Sequence, residues 1–419
     1  MTTLSALWDT LKSARAQRRG LAVLTHAANS LAVPLAGPLF AFLVIRFASV
    51  DLWGEFVRAL IVAQLAAHIA GWGNKDYLLR EFSRYPGRLA ATWQKNLMTR
   101  LGLLLAVPVV LLVLGYAPAR AGWLALCALG LLLDQAYDVV VLYRRAFVYA
   151  LLVEVLGVAL LALPILWLGP ALTADTLLAV FALSNLAKAA ALALRFRALA
   201  TPGWAAGVDL RQLRGALPFF LLGFSGLLQS RADLYTVSAL LGERTLGQYQ
   251  VFSNLMLYGQ AVAGFVLLPF VKGLYRLSYQ ASLRLAARLS LLGLVVLALF
   301  LPAAHLTLTW LFRLDLPPLM LVFGGLSIWP IFFYLPIIYA LFKAERPAAV
   351  IAINVLGVGV SVLLNLALLP RFSLVGAAAA TAAAQWAMGL AYVVAAGPGR
   401  KYWEQSPHAP VVSELPRGD

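Results

Sequence analysis

Apolar residues fall into twelve long runs, and the polar residues between them concentrate their basic charge in alternate connections. The runs lie at about 21–46, 53–73, 97–115, 121–142, 146–169, 173–195, 213–240, 247–271, 287–311, 318–341, 347–369 and 373–395. Runs of roughly 20 apolar residues match the hydrocarbon thickness of a bilayer when wound as α-helix. Inside lipid a backbone must satisfy its own polar groups, so each run predicts a helix. The fold class this pattern predicts is an all-α polytopic membrane protein of about 12 transmembrane helices. The longest predicted loop lies at about 74–96, and no linker sets off a soluble module.

The pattern also repeats. The junction of the first two runs reads Leu52-Trp53-Gly54-Glu55-Phe56, and that of the seventh and eighth reads Leu246-Gly247-Gln248-Tyr249. Each brings a glycine, one polar residue and an aromatic to a helix start. Aligning Gly54 with Gly247 gives an offset of six runs. Six is even, so the two halves share one orientation. This divides the chain into a basic tail (1–20), an N-terminal six-helix lobe (21–197), a connector (198–212), a C-terminal six-helix lobe (213–396) and a second tail (397–419).

Composition agrees with the pattern. The chain has 419 residues, 62% hydrophobic and 12% charged, with one cysteine. Its mean hydropathy is +0.86. A soluble domain could not cover that much apolar surface. The net charge of +16 would suggest nucleic acid, but its distribution does not. If the N-terminus is cytoplasmic, 24 of the 33 Lys and Arg fall on the inner side and 5 in outer loops. That is the positive-inside bias, with both termini cytoplasmic, and it excludes nucleic acid as the reason for the charge. Trp53, Trp123, Trp167 and Trp310 sit at outer helix ends, as an interfacial belt would. The basic N-terminal segment reads as a cytoplasmic tail rather than a cleaved signal, since it has no short apolar core with a cleavage site.

Four basic residues remain within the runs, Arg58, Arg100, Lys188 and Arg231, and four acids, Asp134, Asp138, Glu154 and Asp233. Each costs at least about 2.5–3.5 kcal/mol at the bilayer centre, so each needs a partner or a wet cavity. Arg58 has Glu55 three residues before it on the same face. Gln64 and His68 continue a polar side of that helix, with His68 read as a hydrogen-bonded residue rather than a proton relay. Asp134 and Asp138 share a face and suit proton or sodium coupling, unless Arg144, Arg145 or Arg100 neutralises them. Glu154 and Lys188 lie at similar depth and suit a salt bridge. Arg231 and Asp233 point to different sides, and Arg231 is the candidate for a cavity. Pro34, Gly37 and Pro38 in the first run, with Pro330 and Pro336 in the tenth, are candidate helix hinges. The alanine-rich run Gly376–Ala384 suits close helix packing.

No Gly-rich phosphate loop, Gly-x-Ser-x-Gly or metal-binding spacing occurs, so the expectation is a transporter without cofactor or metal rather than an enzyme. Without a nucleotide site, transport would run on an ion gradient, H+ or Na+, or on membrane potential.

Several ordered segments carry a family resemblance. They are Ser49-Val50-Asp51-Leu52-Trp53-Gly54-Glu55-Phe56, Gly73 with Leu79-Arg80-Glu81, Leu217-Pro218-Phe219, Arg231-Ala232-Asp233, Leu240-Leu241-Gly242, Leu246-Gly247-Gln248-Tyr249, Asn365 to Pro370 and Leu374 to Ala378. In order and spacing the chain resembles the Wzx-like polysaccharide and O-antigen flippases of the multidrug/oligosaccharidyl-lipid/polysaccharide (MOP) superfamily. The resemblance implies two six-helix lobes around a central cavity, working by alternating access. It implies movement of an undecaprenyl-diphosphate-linked oligosaccharide from the cytoplasmic to the periplasmic leaflet of a bacterial inner membrane. Arg58, Lys188 and Arg231 are then the candidate diphosphate ligands. A glycan polymerase or other envelope-assembly proteins are the implied partners, beside the bilayer itself. The alternatives are a cation-coupled drug or metabolite antiporter of the same superfamily, and a membrane-embedded glycan polymerase or ligase.

Overall fold

A computed structural model describes residues 36–200 and 209–397. Pro34, the first tail, part of the connector and nearly all of the second tail lie outside the described residues. Those residues form helices and turns, with no strand among them. The helices are α1 (Ala36–Phe47), α2 (Val50–Gly71), α3 (Asn74–Arg84), α4 (Leu89–Leu104), α5 (Ala106–Val113), α6 (Pro118–Arg144), α7 (Phe147–Leu168) and α8 (Ala174–Arg195). Then come α9 (Leu210–Leu240), α10 (Glu243–Leu267), α11 (Tyr279–Leu306), α12 (Pro318–Lys343) and α13 (Pro347–Ala396).

Among the described residues nine helices are long and apolar enough to cross a membrane. The eleventh and twelfth predicted runs fuse into the 50-residue α13, where only Ser373 leaves helical geometry, at φ 49° and ψ −131°. The helix α9 is 31 residues long but more polar than those nine, since Arg211, Arg214, Arg231 and Asp233 lie along it. The predicted loop at 74–96 is not a loop. It folds as α3 and the first turns of α4, because Asn74, Tyr77, Leu78 and Phe82 supply a buried face. The helix α11 likewise begins at Tyr279, capped by Ser278, whose hydroxyl accepts from Ala281 N at 3.3 Å.

Two compact units result. Unit 1 comprises the described residues up to Phe224 together with 238–252 and 310–314. Unit 2 comprises 225–237, 253–309 and the described residues from Asp315 onward. The core of unit 1 includes Leu78, Phe82, Trp93, Tyr137, Val140, Val153, Leu192 and Phe196. In unit 2 the alanine-rich stretch is buried at Ala377, Ala378, Ala380, Ala382 and Ala384. Lipid is as apolar as leucine, so such contacts gain from close van der Waals packing rather than from leaving water.

The repeat glycines meet each other. The Glu243 carbonyl carbon and oxygen crowd Gly54 so closely that a Cβ there would lie 1.8 Å from the oxygen. A Cβ on Gly247 would lie 2.6 Å from the Val50 carbonyl oxygen. Thus the first turns of α2 and α10 cross backbone to backbone within unit 1, and glycine is the residue that permits it.

Both proline candidates in α12, Pro330 and Pro336, lie inside one unbroken helix. Gly37 and Pro38 lie in the first turn of the described α1. Of the tryptophans at the expected outer helix ends, Trp167 and Trp310 are exposed, whereas Trp53 is buried and donates to Gln250 Oε1 at 3.0 Å.

Candidate functional site: the intramembrane charges

In unit 1 the charged residues neutralise one another. The helix α2 starts at Ser49, whose hydroxyl accepts from Leu52 N at 3.1 Å, and carries Arg58 two turns further on. The Arg58 Nη2 donates to the Leu241 carbonyl at 2.9 Å and lies 3.4 Å from Glu243 Oε1. Its ionic partner is therefore Glu243 across the helix crossing, not Glu55. Glu55 instead pairs with Arg120 at 3.3 Å. The Gly54 crossing sets this exchange, because it brings the first turn of α10 beside α2.

Deeper in the unit, Lys188 of α8 reaches between two acids. Its Nζ lies 2.9 Å from Glu154 Oε1 on α7 and 3.3 Å from Asp134 Oδ2 on α6. Gly157 makes room for it: a Cβ there would lie 2.6 Å from Lys188 Cδ. Ser184 donates to the Gly157 carbonyl at 3.0 Å and holds α7 against α8. The triad carries two carboxylates and one ammonium, and the Lys188 side chain is only 10% exposed.

Asp138, one turn beyond Asp134, has its own cation, Lys75 at 2.8 Å. Arg144, Arg145 and Arg100 pair with neither acid. Arg100 is wholly buried and does structural work. Its Nε donates to the Gly71 carbonyl at 2.8 Å, its Nη2 to the Trp72 carbonyl at 3.4 Å and its Nη1 to Asn96 O at 3.3 Å. It thereby satisfies carbonyls that the end of α2 leaves open, beside a left-handed Trp72 at φ 45°. A cavity of about 250 Å³ opens next to this turn, lined by His68, Asn74, Lys75, Gln135 and Asp138 among others. His68 stacks near Phe224, with ring centroids 6.0 Å apart.

In unit 2 the charges meet neutral groups. Arg231 Nη1 donates to Asn254 Oδ1 at 2.6 Å. Arg231 has no ion pair among the described residues. Two residues on, Asp233 Oδ2 accepts from Thr381 at 3.2 Å and from Ser253 at 3.5 Å. A further set of buried neutral groups runs through the same unit. Tyr334 donates to Gln385 at 2.6 Å, Tyr392 to Asn354 at 3.4 Å, and Asn354 to Ser225 at 3.1 Å. None of these residues is charged, so the intramembrane charges alone do not point to them. Their signal was an amide or hydroxyl inside an otherwise apolar run. Among the described residues, no group of three metal-ligating side chains forms a cation site.

No family model matches this chain. No curated protein matches it either. Solved structures do. A structure titled as the lipid II flippase MurJ in an inward closed conformation aligns with a TM-score of 0.65 at 11% identity, over 90% of this chain and 87% of that one. An inward-facing multidrug resistance MATE family transporter of the MOP superfamily aligns with a TM-score of 0.50 at 13% identity, over 92% and 99%. At these identities the likeness is one of fold, which the chain shares with both.

Proposed function

We propose that this protein is a flippase. It carries an undecaprenyl-diphosphate-linked oligosaccharide from the cytoplasmic to the periplasmic leaflet, by alternating access, for surface polysaccharide assembly. It resides in a bacterial inner membrane with both termini cytoplasmic. The observation that carries the reading is Arg231, an intramembrane guanidinium whose partner is the neutral Asn254. A half-buried guanidinium of that kind favours a phosphate, to which it binds in bidentate fashion. Arg58 is the second candidate cation, with donors in excess of its one carboxylate. Lys188 is the third, and would engage phosphate only by leaving Asp134 and Glu154. The fold adds support, since it is shared with a lipid II flippase.

A second reading, a cation-coupled drug or metabolite antiporter, draws on the triad. Two carboxylates around one ammonium leave one negative charge over, which a proton or Na+ from a gradient would balance. The same coupling would serve the flippase. A glycan polymerase or other envelope-assembly proteins would act on the flipped product.

Mass spectrometry of polyprenyl-linked glycans in cells depleted of this protein tests the reading. The expected result is accumulation of a complete diphosphate-linked repeat unit that stays on the cytoplasmic leaflet. Depletion without any build-up of lipid-linked glycan would overturn it and favour small-molecule efflux.

A further inference from the structure

A second cavity, of about 450 Å³, lies in unit 2 where the chain turns from α10 into α11. Its apolar wall includes Phe270, Leu274, Leu277 and Leu285, and its remaining side carries Arg284 and Arg288. The two arginines are four residues apart on α11, so they stand one above the other on one helix face. Both are exposed, and among the described residues neither has a hydrogen-bond or ion-pair partner. Like charges at this spacing repel, so the pair is a cost to the bare helix.

No Asp or Glu occurs between Glu243 and Asp315. Lys343 of α12 adds a further cation at this corner, with its Nζ donating to the Leu277 carbonyl at 2.8 Å. The sequence's basic-loop bias puts this end of the helices at the cytoplasmic membrane surface, where anionic headgroups lie. Two arginines on one helix face beside an apolar trough present both halves of a phospholipid site: donors for the phosphate and leucine surface for the acyl chains.

We infer that the Arg284–Arg288 cavity is a binding site for an anionic phospholipid, with its headgroup phosphate bridging the two guanidiniums and an acyl chain along Leu274, Leu277 and Leu285. The bridging phosphate turns a repulsive pair into a clamp on the start of α11. The site shares no residue with the cations proposed for the transported diphosphate, and its test does not depend on transport.

Native mass spectrometry of the full-length protein released from detergent tests it, with dioleoyl-phosphatidylglycerol and dioleoyl-phosphatidylcholine as probes. Wild type should retain phosphatidylglycerol under activation that strips phosphatidylcholine. The R284Q/R288Q variant should bind phosphatidylglycerol on the order of tenfold more weakly, as loss of two basic contacts with an anionic lipid implies. R284K/R288K should keep most of the preference. Ala281→Phe fills the cavity with both arginines in place, and should lose the lipid as the glutamine pair does. R144Q/R145Q, at a different helix end, should change nothing. Equal retention of the two lipids by wild type overturns the inference. So does full retention by both R284Q/R288Q and Ala281→Phe. An equal loss in R144Q/R145Q would mean that basic charge alone, not the cavity, attracts the lipid. Displacement of the lipid by millimolar inorganic phosphate would mark a soluble-anion site instead.

Discussion

The two units keep charge inside a membrane protein in different ways. In unit 1, Arg58 meets Glu243, Arg120 meets Glu55, Lys75 meets Asp138, and Lys188 meets both Asp134 and Glu154. In unit 2, Arg231 meets an asparagine and Asp233 meets two hydroxyls. An ion pair cancels its own field and binds helices to each other. A charge solvated by amides and hydroxyls stays a charge, and is available to a ligand of opposite sign. Unit 1 thus reads as a framework held by ion pairs, with two acids on one ammonium in its triad, and unit 2 as the place where a guanidinium is hydrogen-bonded to a neutral group.

The comparison breaks most visibly at Lys188. Lys188→Met leaves two carboxylates facing each other in a site with little water, and removing one partner of a buried ion pair costs about 3–5 kcal/mol. Thermal unfolding of the purified variant in detergent should show a large drop. The triple variant K188M/D134N/E154Q, which is neutral, should recover most of it. An unchanged melting temperature in Lys188→Met would mean that the triad is fully hydrated.

At Arg231 the prediction reverses the weighting of stability against activity. Arg231→Met leaves the Asn254 amide without its hydrogen bond, which costs about 1–2 kcal/mol. Abundance in the membrane should therefore stay near normal while glycan export fails. Wild-type export by this variant would remove Arg231 from the site and with it the contrast between the units.

Thr381→Val keeps the shape of the side chain but removes one hydroxyl from Asp233, at a cost of about 1 kcal/mol. A shift in melting temperature several times larger would show that the Asp233 contacts act as one cooperative network. The smallest effect is expected at Lys75→Ala. The Lys75–Asp138 pair is short, at 2.8 Å, but its side chains are 55% and 41% exposed, and exposed pairs contribute about 0–1 kcal/mol. Detectable loss of stability there would extend the rigid framework of unit 1 to its surface.

Sequence periodicity located most of these features but not their partners. The glycines at 54 and 247 were legible as a repeat, because the same three residue types recur at helix starts. That they touch was not legible, since contact between residues so far apart in sequence depends on how the two helices cross. The same crossing redirected Arg58 from Glu55, the neighbour that helical spacing nominates, to Glu243. The Lys188–Glu154 pairing followed from similar depth. Its third member, Asp134, is one that helical spacing alone groups with Asp138. The helix at 74–84 escaped the hydropathy pattern because it is amphipathic and largely polar, so no long apolar run marks it.

The sequence by itself determined that the chain is a helical membrane protein, where nearly every helix lies and which charges must be accounted for. Those properties depend on composition and on period along one helix, and the bilayer imposes them whatever the neighbours are. Tertiary structure alone decided which charge meets which, that Arg100 closes the end of α2, and that Arg231 is left with a neutral partner. Each of those depends on distances between helices of a few ångströms, set by where glycine and alanine let backbones approach.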